Sequence, residues 1–498
     1  MLHACRKHAA CSQADLQNTF APSRLIDVSS VPRICSRKKH FAENTARYVA
    51  LSYVWGMEQQ YVAKTDWMKG DGPFTLDVSR LPLTILNAIE VTRRLGYSFL
   101  WIDCLCILQD SNDDKRREIA QMRNIYRNAR VTIAAAKSSS VETPFLSHAD
   151  PDYSMQPFNI PFLNSDGIVT PISVGYRANY VQAKDPWNSR AWTLEEQLLS
   201  SRLLIYSTNG LMWQCKGSLQ VERDPSQGPK PLLGLPWSQD EIPSEEEVDT
   251  HELWADILCN YTQREVTHAK DKLVAFAAIA EEFAQIWQDK YVAGLWQSRL
   301  FEDLLWHRHL TSDFRPSMKL MPRPAKYRAP SWSWAAIDGY IIPGGTDFSR
   351  ESYQFEVISY AAELESEIVP FGAVVTGTLR VKALLVLCTW RPAACPAQDL
   401  CDGWVIPPSD IEGEAESLID PAADINLDAL DPELKLGEYI WCLPVARITT
   451  EYTGHPFEGL VLKEVSSEIY QRIGYFSNCH DGYLFETLYP CRKEISII

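Results

Sequence analysis

Four short apolar runs are the feature of this sequence that most constrains its fold. They lie at 48–53, 98–103, 130–135 and 202–206. Between them, residues 81–95 and 111–129 carry the periodicity of amphipathic helices. Continuous apolar runs are typical of strands buried on both faces, and alternation with helices indicates parallel pairing. The sequence therefore predicts an α/β domain with a parallel sheet flanked by helices.

The rest of the chain divides by composition and pattern. We expect an N-terminal extension with a short strand at 1–46 and an α/β domain at 47–217 with a loop-like insertion at 140–187. A Pro- and acid-rich linker follows at 218–250 and a helical region at 251–335. The β-rich C-terminal region spans 336–498 and is broken by an acidic loop at 410–433.

The charge balance and the lack of long apolar segments restrict the partners and the compartment. The 498 residues carry a net charge of −16, which weighs against nucleic acid and anionic membrane as partners because both require a basic surface. No apolar segment has the length of a signal peptide or a spanning helix. The 13 cysteines are then most simply reduced thiols of a cytoplasmic protein.

Two groups of cysteines have alternative interpretations. His3, Cys5, His8 and Cys11 are of types that bind metals, but no second pair follows at zinc-finger spacing, so we interpret them as part of a disordered tail and expect no metal site. Cys104 and Cys106 end a buried run, where small apolar residues are more common than reactive thiols.

Three segments carry a family resemblance. They are YVALSYVWG at 48–56, the long block at 95–136 and SRAWTLEEQLLSSRLLIY at 189–206. In this order and spacing they resemble the fungal heterokaryon incompatibility (HET) domain, here spanning 47–217. The resemblance implies a fungal protein of non-self recognition, linked to programmed cell death after hyphal fusion.

One short segment departs from the family pattern. HET proteins usually carry Trp-Thr-x-Gln-Glu-Arg, whereas this chain has Trp192-Thr193-Leu194-Glu195-Glu196-Gln197. A basic side chain is thus lost beside Glu196. This loss weakens any role that needs a positive charge at position 197, such as holding a phosphate.

HET domains are distantly similar to TIR domains, and this likeness implies a chemistry. It implies a TIR-like, flavodoxin-like fold and cleavage of NAD at the nicotinamide–ribose bond, with NAD as substrate rather than cofactor. The catalytic glutamate of TIR domains corresponds to Glu196, and Asp103 would support substrate position. Ligands of such sheets bind beyond the carboxyl ends of the strands. The substrate-binding candidates expected there are Tyr53, Trp55, Gly56, Trp192 and Arg190, with Arg202 as a further candidate for phosphate.

Other interpretations stay open. Thr193 and Glu196 match a capping box, in which Glu196 would only cap a helix. Trp55 and Trp192 are as consistent with packing in the core or at its rim as with stacking on a ligand ring. Asp103 is also consistent with hydrogen bonds to neighbouring loop amides instead of contact with a ligand. The whole domain also fits a non-enzymatic module that signals by self-association, with an unknown protein partner bound through the C-terminal region.

Overall fold

The structure is a computed structural model, and the chain divides into two compact units, Met1–Gly234 and Leu235–Ile498. The predicted linker at 218–250 lies mostly outside the described residues. The residues that the structure describes are 2–5, 7–8, 11, 20–37, 47–56, 59–70, 72–146, 158–163, 169–174, 185–208, 210–215, 218–221, 249–309, 321–344, 350–352, 355–392, 402–406, 423–429, 434, 436–448, 457–477 and 491–498.

The first unit alternates strands and short helices. Its helices are α1 Leu2–Cys5, α2 Leu83–Arg94, α3 Asp103–Cys106, α4 Asn112–Ile119, α5 Met122–Asn128 and α6 Ala191–Leu199. Its strands are β1 Arg24–Asp27, β2 Arg33–Ser36, β3 Tyr48–Ser52, β4 Phe74–Thr75, β5 Phe99–Trp101, β6 Val131–Ala134, β7 Phe158–Leu163, β8 Val169–Val174, β9 Arg202–Ser207, β10 Gly210–Cys215 and β11 Ser218–Val221.

Most strands of this unit form one mixed sheet. Within the described residues it has nine strands, in the order β11-β10-β9-β6-β3-β5-β1-β2-β4. Its centre, β5-β3-β6-β9, is parallel, so the four predicted apolar runs and their parallel pairing are confirmed. The expectation of a wholly parallel sheet is wrong, because hairpins add antiparallel strands at both ends.

Local sequence signals explain the helices of this unit. Helix α2 follows Pro82, and Gly96 adopts a φ of 79° just after its end, as expected for a glycine stop. The Ser111 side chain caps α4 by accepting from the Asp114 amide. The predicted helix at 111–129 is two helices, α4 and α5.

The insertion at 140–187 is not wholly a loop. Strands β7 and β8 pair as an antiparallel hairpin within it, and Pro186–Ser189 form a 3-10 helix that leads into α6. Strand β7 includes Phe158, Ile160 and Phe162 at alternate positions, a period-two pattern hidden by the surrounding polar residues. Residues 147–157, 164–168 and 175–184 lie outside the described part of the chain.

The second unit begins with helices and ends in strands. Its helices are α7 Thr250–Thr262, α8 Asp271–Val274, α9 Ala277–Trp287 and α10 Leu300–Asp303. Its strands are β12 Tyr291–Val292, β13 Leu295–Trp296, β14 His307–Arg308, β15 Ile341–Ile342, β16 Arg350–Ser352, β17 Glu356–Leu364, β18 Val374–Pro392, β19 Gly403–Ile406, β20 Ala423–Leu427, β21 Tyr439–Ile448, β22 Phe457–Ser466, β23 Ile469–Ser477 and β24 Cys491–Ile497.

Six strands of this unit close into a ring. Strand β18 pairs with β19 and β21, and the circuit continues through β22, β23 and β20, all antiparallel. A closed ring leaves none of these six strands with an unpaired edge. The core cluster of this unit is contributed by these strands and includes Cys388, Ile425, Phe457 and Phe476.

The predicted acidic loop at 410–433 contains strand β20, and residues 410–422 and 430–433 lie outside the described part of the chain. Asp428, just after β20, is buried against Arg472, which is itself fully buried. The segment Ser331-Trp332-Ser333-Trp334 belongs to the same unit, and its two tryptophans are buried at 0% and 1% exposure. These tryptophans therefore belong to the core of this unit.

No helix among the described residues combines the length and the apolar character needed to cross a membrane.

Candidate functional site

The carboxyl ends of the parallel strands bring the main candidate residues together. Ser52 ends β3, and Asp103 follows β5, the parallel neighbour of β3. Glu196 lies on α6, and its carboxyl group accepts a hydrogen bond from the Ser52 hydroxyl. Glu196 therefore lies at the sheet edge where ligands of α/β proteins bind.

Ser52 lies in a directed chain of hydrogen bonds. The Trp187 indole Nε1 donates to Ser52 Oγ at 2.6 Å, and Ser52 donates to Glu196 Oε2. An indole N–H can only donate, so Ser52 must direct its own proton toward the carboxyl group. This arrangement favours the ionised form of Glu196, because a donated hydrogen bond stabilises a carboxylate.

The capping-box interpretation of Thr193 and Glu196 is wrong. Helix α6 begins at Ala191 with Arg190 as its N-cap, so Thr193 lies inside the first turn. The Thr193 hydroxyl donates to the carbonyl oxygens of Trp187 and Arg190 at 2.6 and 2.8 Å. Glu196 lies in the second turn and accepts from Ser52, so its carboxyl group does not cap the start of this helix.

Burial dominates the ionisation of Glu196. The residue is 7% exposed, and removal from water raises the pKa of its carboxyl to about 8 from 4.5. The Ser52 hydrogen bond opposes this rise, the charge of Asp103 adds to it, and Arg190 opposes it. Most Glu196 side chains are therefore protonated at neutral pH in the free protein, and a nearby positive charge would favour their ionisation.

Asp103 is the more accessible of the two carboxyl groups. It is partly exposed, accepts from the Trp55 indole at 2.7 Å and accepts from the Cys104 amide at 2.6 Å. Partial burial raises the pKa of Asp103, while these two hydrogen bonds and the Arg190 charge oppose the rise. Asp103 thus bonds the neighbouring amide of Cys104, which lies in α3 rather than in a loop, and it also positions Trp55.

The other predicted substrate-binding residues differ in exposure. Trp55, Arg190 and Trp192 are partly exposed, and Trp192 lies one helical turn before Glu196 on the same face of α6. Arg190 donates to the Tyr53 carbonyl at 3.2 Å. Tyr53 is 4% exposed, so it lies beneath the accessible residues rather than among them.

Arg202 does not take the role that the sequence suggested. Arg202 is 2% exposed and donates to the Cys11 carbonyl at 2.7 Å, so it does not face a phosphate at this site. Gln197, at the position of the family arginine, is 7% exposed. Cys104 and Cys106 are fully buried as expected, and burial raises the pKa of Cys106 to about 12, which keeps it a thiol at neutral pH.

Sequence reasoning missed Ser52 and Trp187 as site residues. A polar signal for Ser52 exists, because it is the only residue of the apolar run at 48–53 that has neither an aliphatic nor an aromatic side chain. Trp187 carries no such signal, since it lies at the end of the insertion, far from Ser52 in sequence. Only the tertiary structure shows their contact.

Stability should depend on pH through Glu196. Its pKa is raised on folding, so its stabilising contribution is complete below about pH 4.5 and declines as the pH rises toward 8. Glu196→Gln removes the ionisation. As the pH rises from 5 to 9, we expect the free energy of unfolding of the variant to increase by roughly 2–5 kcal/mol relative to that of the wild type. Urea unfolding of both proteins across this range measures the difference, and parallel pH curves would contradict the prediction.

Gly56 should tolerate no side chain. Its φ is 84°, and a Cβ there would lie 2.8 Å from the Ser140 Cβ. Gly56→Ala should cost at least about 1–2 kcal/mol, the penalty of a left-handed residue, with the clash in addition. The matched control is Gly70→Ala, where a Cβ would meet no atom within 4 Å. Equal thermal midpoints for the two variants would show that this turn is not constrained.

The fold and the site define an α/β domain with a buried carboxyl group at the ends of parallel strands. Residues 48–196 of the chain match the family described as Heterokaryon incompatibility protein (HET). The chain therefore carries a HET domain, which confirms the resemblance seen in its three sequence blocks. No curated protein and no solved structure matches the chain.

Proposed function

We propose that this chain acts in fungal heterokaryon incompatibility and the programmed cell death that follows it, through TIR-like hydrolysis of NAD⁺ by its first unit. The observation that carries the proposal is the position of Glu196 and Asp103 near Arg190, at the carboxyl ends of parallel strands. NAD⁺ would be a substrate here, and water the second reactant. A relationship to TIR domains is part of the same proposal.

The reaction does not require a strong acid catalyst. The bond between the ribose C1′ and the nicotinamide nitrogen breaks, and its electron pair leaves with nicotinamide, which departs neutral from a cationic ring. An oxocarbenium-like centre develops on the ribose, and water attacks it and loses a proton. The products are nicotinamide, ADP-ribose and H⁺. A carboxylate placed beside the ribose stabilises the positive charge and accepts the proton.

Glu196 suits this role once it is ionised. Its carboxyl group is protonated at neutral pH in the free protein because burial raises its pKa to about 8. A cationic nicotinamide ring nearby favours the carboxylate, and the Ser52 hydroxyl already points its proton at Glu196. Substrate binding would thus activate the group that the reaction needs.

The accessible residues suit the rest of the substrate. Trp55 is held by its hydrogen bond to Asp103 and offers an aromatic face for stacking, as Trp192 does one turn before Glu196. Arg190 supplies a positive charge for a phosphate. Gly56 lets the backbone follow a turn that no side chain would permit.

Nicotinamide release by the purified full chain tests the proposal. NAD⁺ is supplied at fixed concentration while the protein concentration is varied, and NAD⁺ is also tested for thermal stabilisation. If self-association activates the domain, the rate should rise more steeply than linearly with protein. The absence of both turnover and thermal stabilisation at the highest protein concentration would overturn the enzymatic proposal.

A non-enzymatic interaction module is the second candidate function. Two observations favour it: Glu196 is only 7% exposed, and Gln197 stands where the family usually carries arginine. In this case the protein would signal by self-association, with a protein partner bound through the second unit. Expression of Glu196→Gln in a fungal host separates the two functions, because the variant should still cause cell death only if no catalysis is involved.

A further inference from the structure

Four side chains of metal-ligating types meet in the first unit, and none of them is a residue of the candidate site. Cys5, His8 and Cys11 come from the N-terminal segment, and Cys215 ends β10. One ligand atom from each lies within 4.8 Å of the others. The expectation that the N-terminal histidine and cysteines form a tail without a metal site overlooked Cys215, which is distant in sequence.

The spacing of these atoms matches a tetrahedral site. His8 Nδ1 lies 3.4 Å from Cys215 Sγ and 3.9 Å from Cys11 Sγ. Around Zn²⁺ with tetrahedral bonds, neighbouring N and S ligands lie about 3.6 Å apart, and two S ligands about 3.8 Å apart. The four atoms therefore need only small shifts to share one ion at bonding distance.

Burial makes the cluster resemble a structural site. Cys5 and Cys11 are each 1% exposed, and Cys215 is 9% exposed. Four protein ligands leave no open position for water or substrate, which is typical of structural zinc. Three sulfur ligands and one imidazole favour Zn²⁺ over the hard cations Mg²⁺ and Ca²⁺, which prefer oxygen.

A buried arginine completes the charge balance. Three thiolates with Zn²⁺ carry one net negative charge, and burying it requires a positive partner. Arg202 is 2% exposed, pairs with Cys215 across β9 and β10, and donates from Nε to Cys5 Sγ at 3.3 Å. The same guanidinium donates to the Cys11 carbonyl at 2.7 Å. Such contacts around the ligands orient them and tune the bound metal.

We propose that Cys5, His8, Cys11 and Cys215 bind one structural Zn²⁺ that fastens the N-terminal segment to the end of β10, with Arg202 balancing its charge. Binding requires deprotonated thiols, so the ion enters as protons leave. No electron transfer is involved. The role is independent of NAD⁺ hydrolysis, because the ligands are not among the residues placed at the carboxyl ends of the parallel strands.

Metal analysis of the untagged full chain tests the proposal. Protein is purified from zinc-supplemented cells, and zinc is measured by mass spectrometry against protein concentration. We expect about one zinc per chain, as for a closed four-ligand site. Cys215→Ser and His8→Ala should lose most of it. The matched controls are Cys259→Ser, a half-buried thiol outside the cluster, and His3→Ala, an exposed histidine of the same segment. Both control variants should retain the bound zinc.

A second measurement covers the case in which the variants do not fold. Wild-type protein is stripped with a chelator under reducing conditions and then given Co²⁺ or Zn²⁺. A tetrahedral, thiolate-bound Co²⁺ spectrum that Zn²⁺ abolishes, together with a thermal midpoint that falls on stripping and recovers on reloading, is the expected result. A wild-type chain that neither contains nor rebinds metal would overturn the proposal, as would a disulfide among these cysteines or full zinc retention by folded Cys215→Ser.

Discussion

Glu196→Gln should abolish NAD⁺ hydrolysis while leaving the protein folded. Glutamine keeps an oxygen that accepts the Ser52 hydrogen bond, so the local packing is retained. It removes the negative charge that the oxocarbenium-like transition state requires, and loss of one such electrostatic contribution costs about 10²–10³ in rate or more. Nicotinamide release under single-turnover conditions, with circular dichroism as a check on folding, measures the effect.

The matched control for this substitution lies next to it. Glu195 is also buried on α6, and Glu195→Gln makes the same chemical change while restoring the residue that HET proteins usually carry. It should leave the rate within a few fold of the wild type. If both variants lose activity equally, Glu196 has no special role in the chemistry.

The pH dependence of the wild type provides a further check on the same residue. The pKa of Glu196 in the free protein is about 8, so kcat/KM for NAD⁺ should rise with pH and level off near that value. A rate that is independent of pH between 6 and 9 would contradict a requirement for the carboxylate.

Arg472→Met should strongly destabilise the second unit. Arg472 is fully buried, bonds Asp428 at 3.0 Å, donates to the Leu304 carbonyl at 2.7 Å and stacks on Trp306 with its Cζ 3.5 Å from the ring centroid. Among the described residues, removing the guanidinium leaves the buried Asp428 carboxylate with only Arg323, at 3.5 Å, as a partner. Breaking a buried ion pair in this way costs about 3–5 kcal/mol. The decrease in the urea midpoint of unfolding measures this loss of stability.

Two further variants define what this loss means. Arg492→Met is the matched control, because Arg492 lies 3.8 Å from Glu356 with side chains 45% and 62% exposed, and such surface pairs contribute at most about 1 kcal/mol. Adding Asp428→Leu to Arg472→Met should recover part of the loss, since no buried charge then remains. An Arg472→Met midpoint equal to that of Arg492→Met would show that the ion pair is not important.

Local sequence patterns accounted for the centre of the first unit. The apolar runs gave β3, β5, β6 and β9 with their parallel order, because a strand buried on both faces needs apolar residues at every position. The same patterns predicted the short N-terminal strand β1, but they missed the hairpin β7–β8 and the other antiparallel strands at the sheet ends. Those strands are short or lie among polar residues, where periodicity is weak.

The sequence placed some of the site residues correctly and misjudged the start of the helix that carries Glu196. Strand ends located Asp103 and Trp55 near the carboxyl edge of the sheet, whereas Glu196 was assigned through the resemblance to TIR domains. The helix start was misjudged, because Thr193 resembles an N-cap in sequence while its hydroxyl bonds carbonyl oxygens inside the first turn. Whether a Thr caps a helix depends on where the chain enters, which is a tertiary property.

The sequence by itself determined the HET domain and the α/β class of the first unit, because these depend on residue type and local period. Only the tertiary structure decided that Ser52 and Trp187 direct a proton toward Glu196, that Arg472 is buried against Asp428, and that Cys215 joins Cys5, His8 and Cys11. Each of these contacts joins residues far apart in the chain. Side chains meet at such distances only when packing of the whole unit brings them together, and local patterns do not encode that packing.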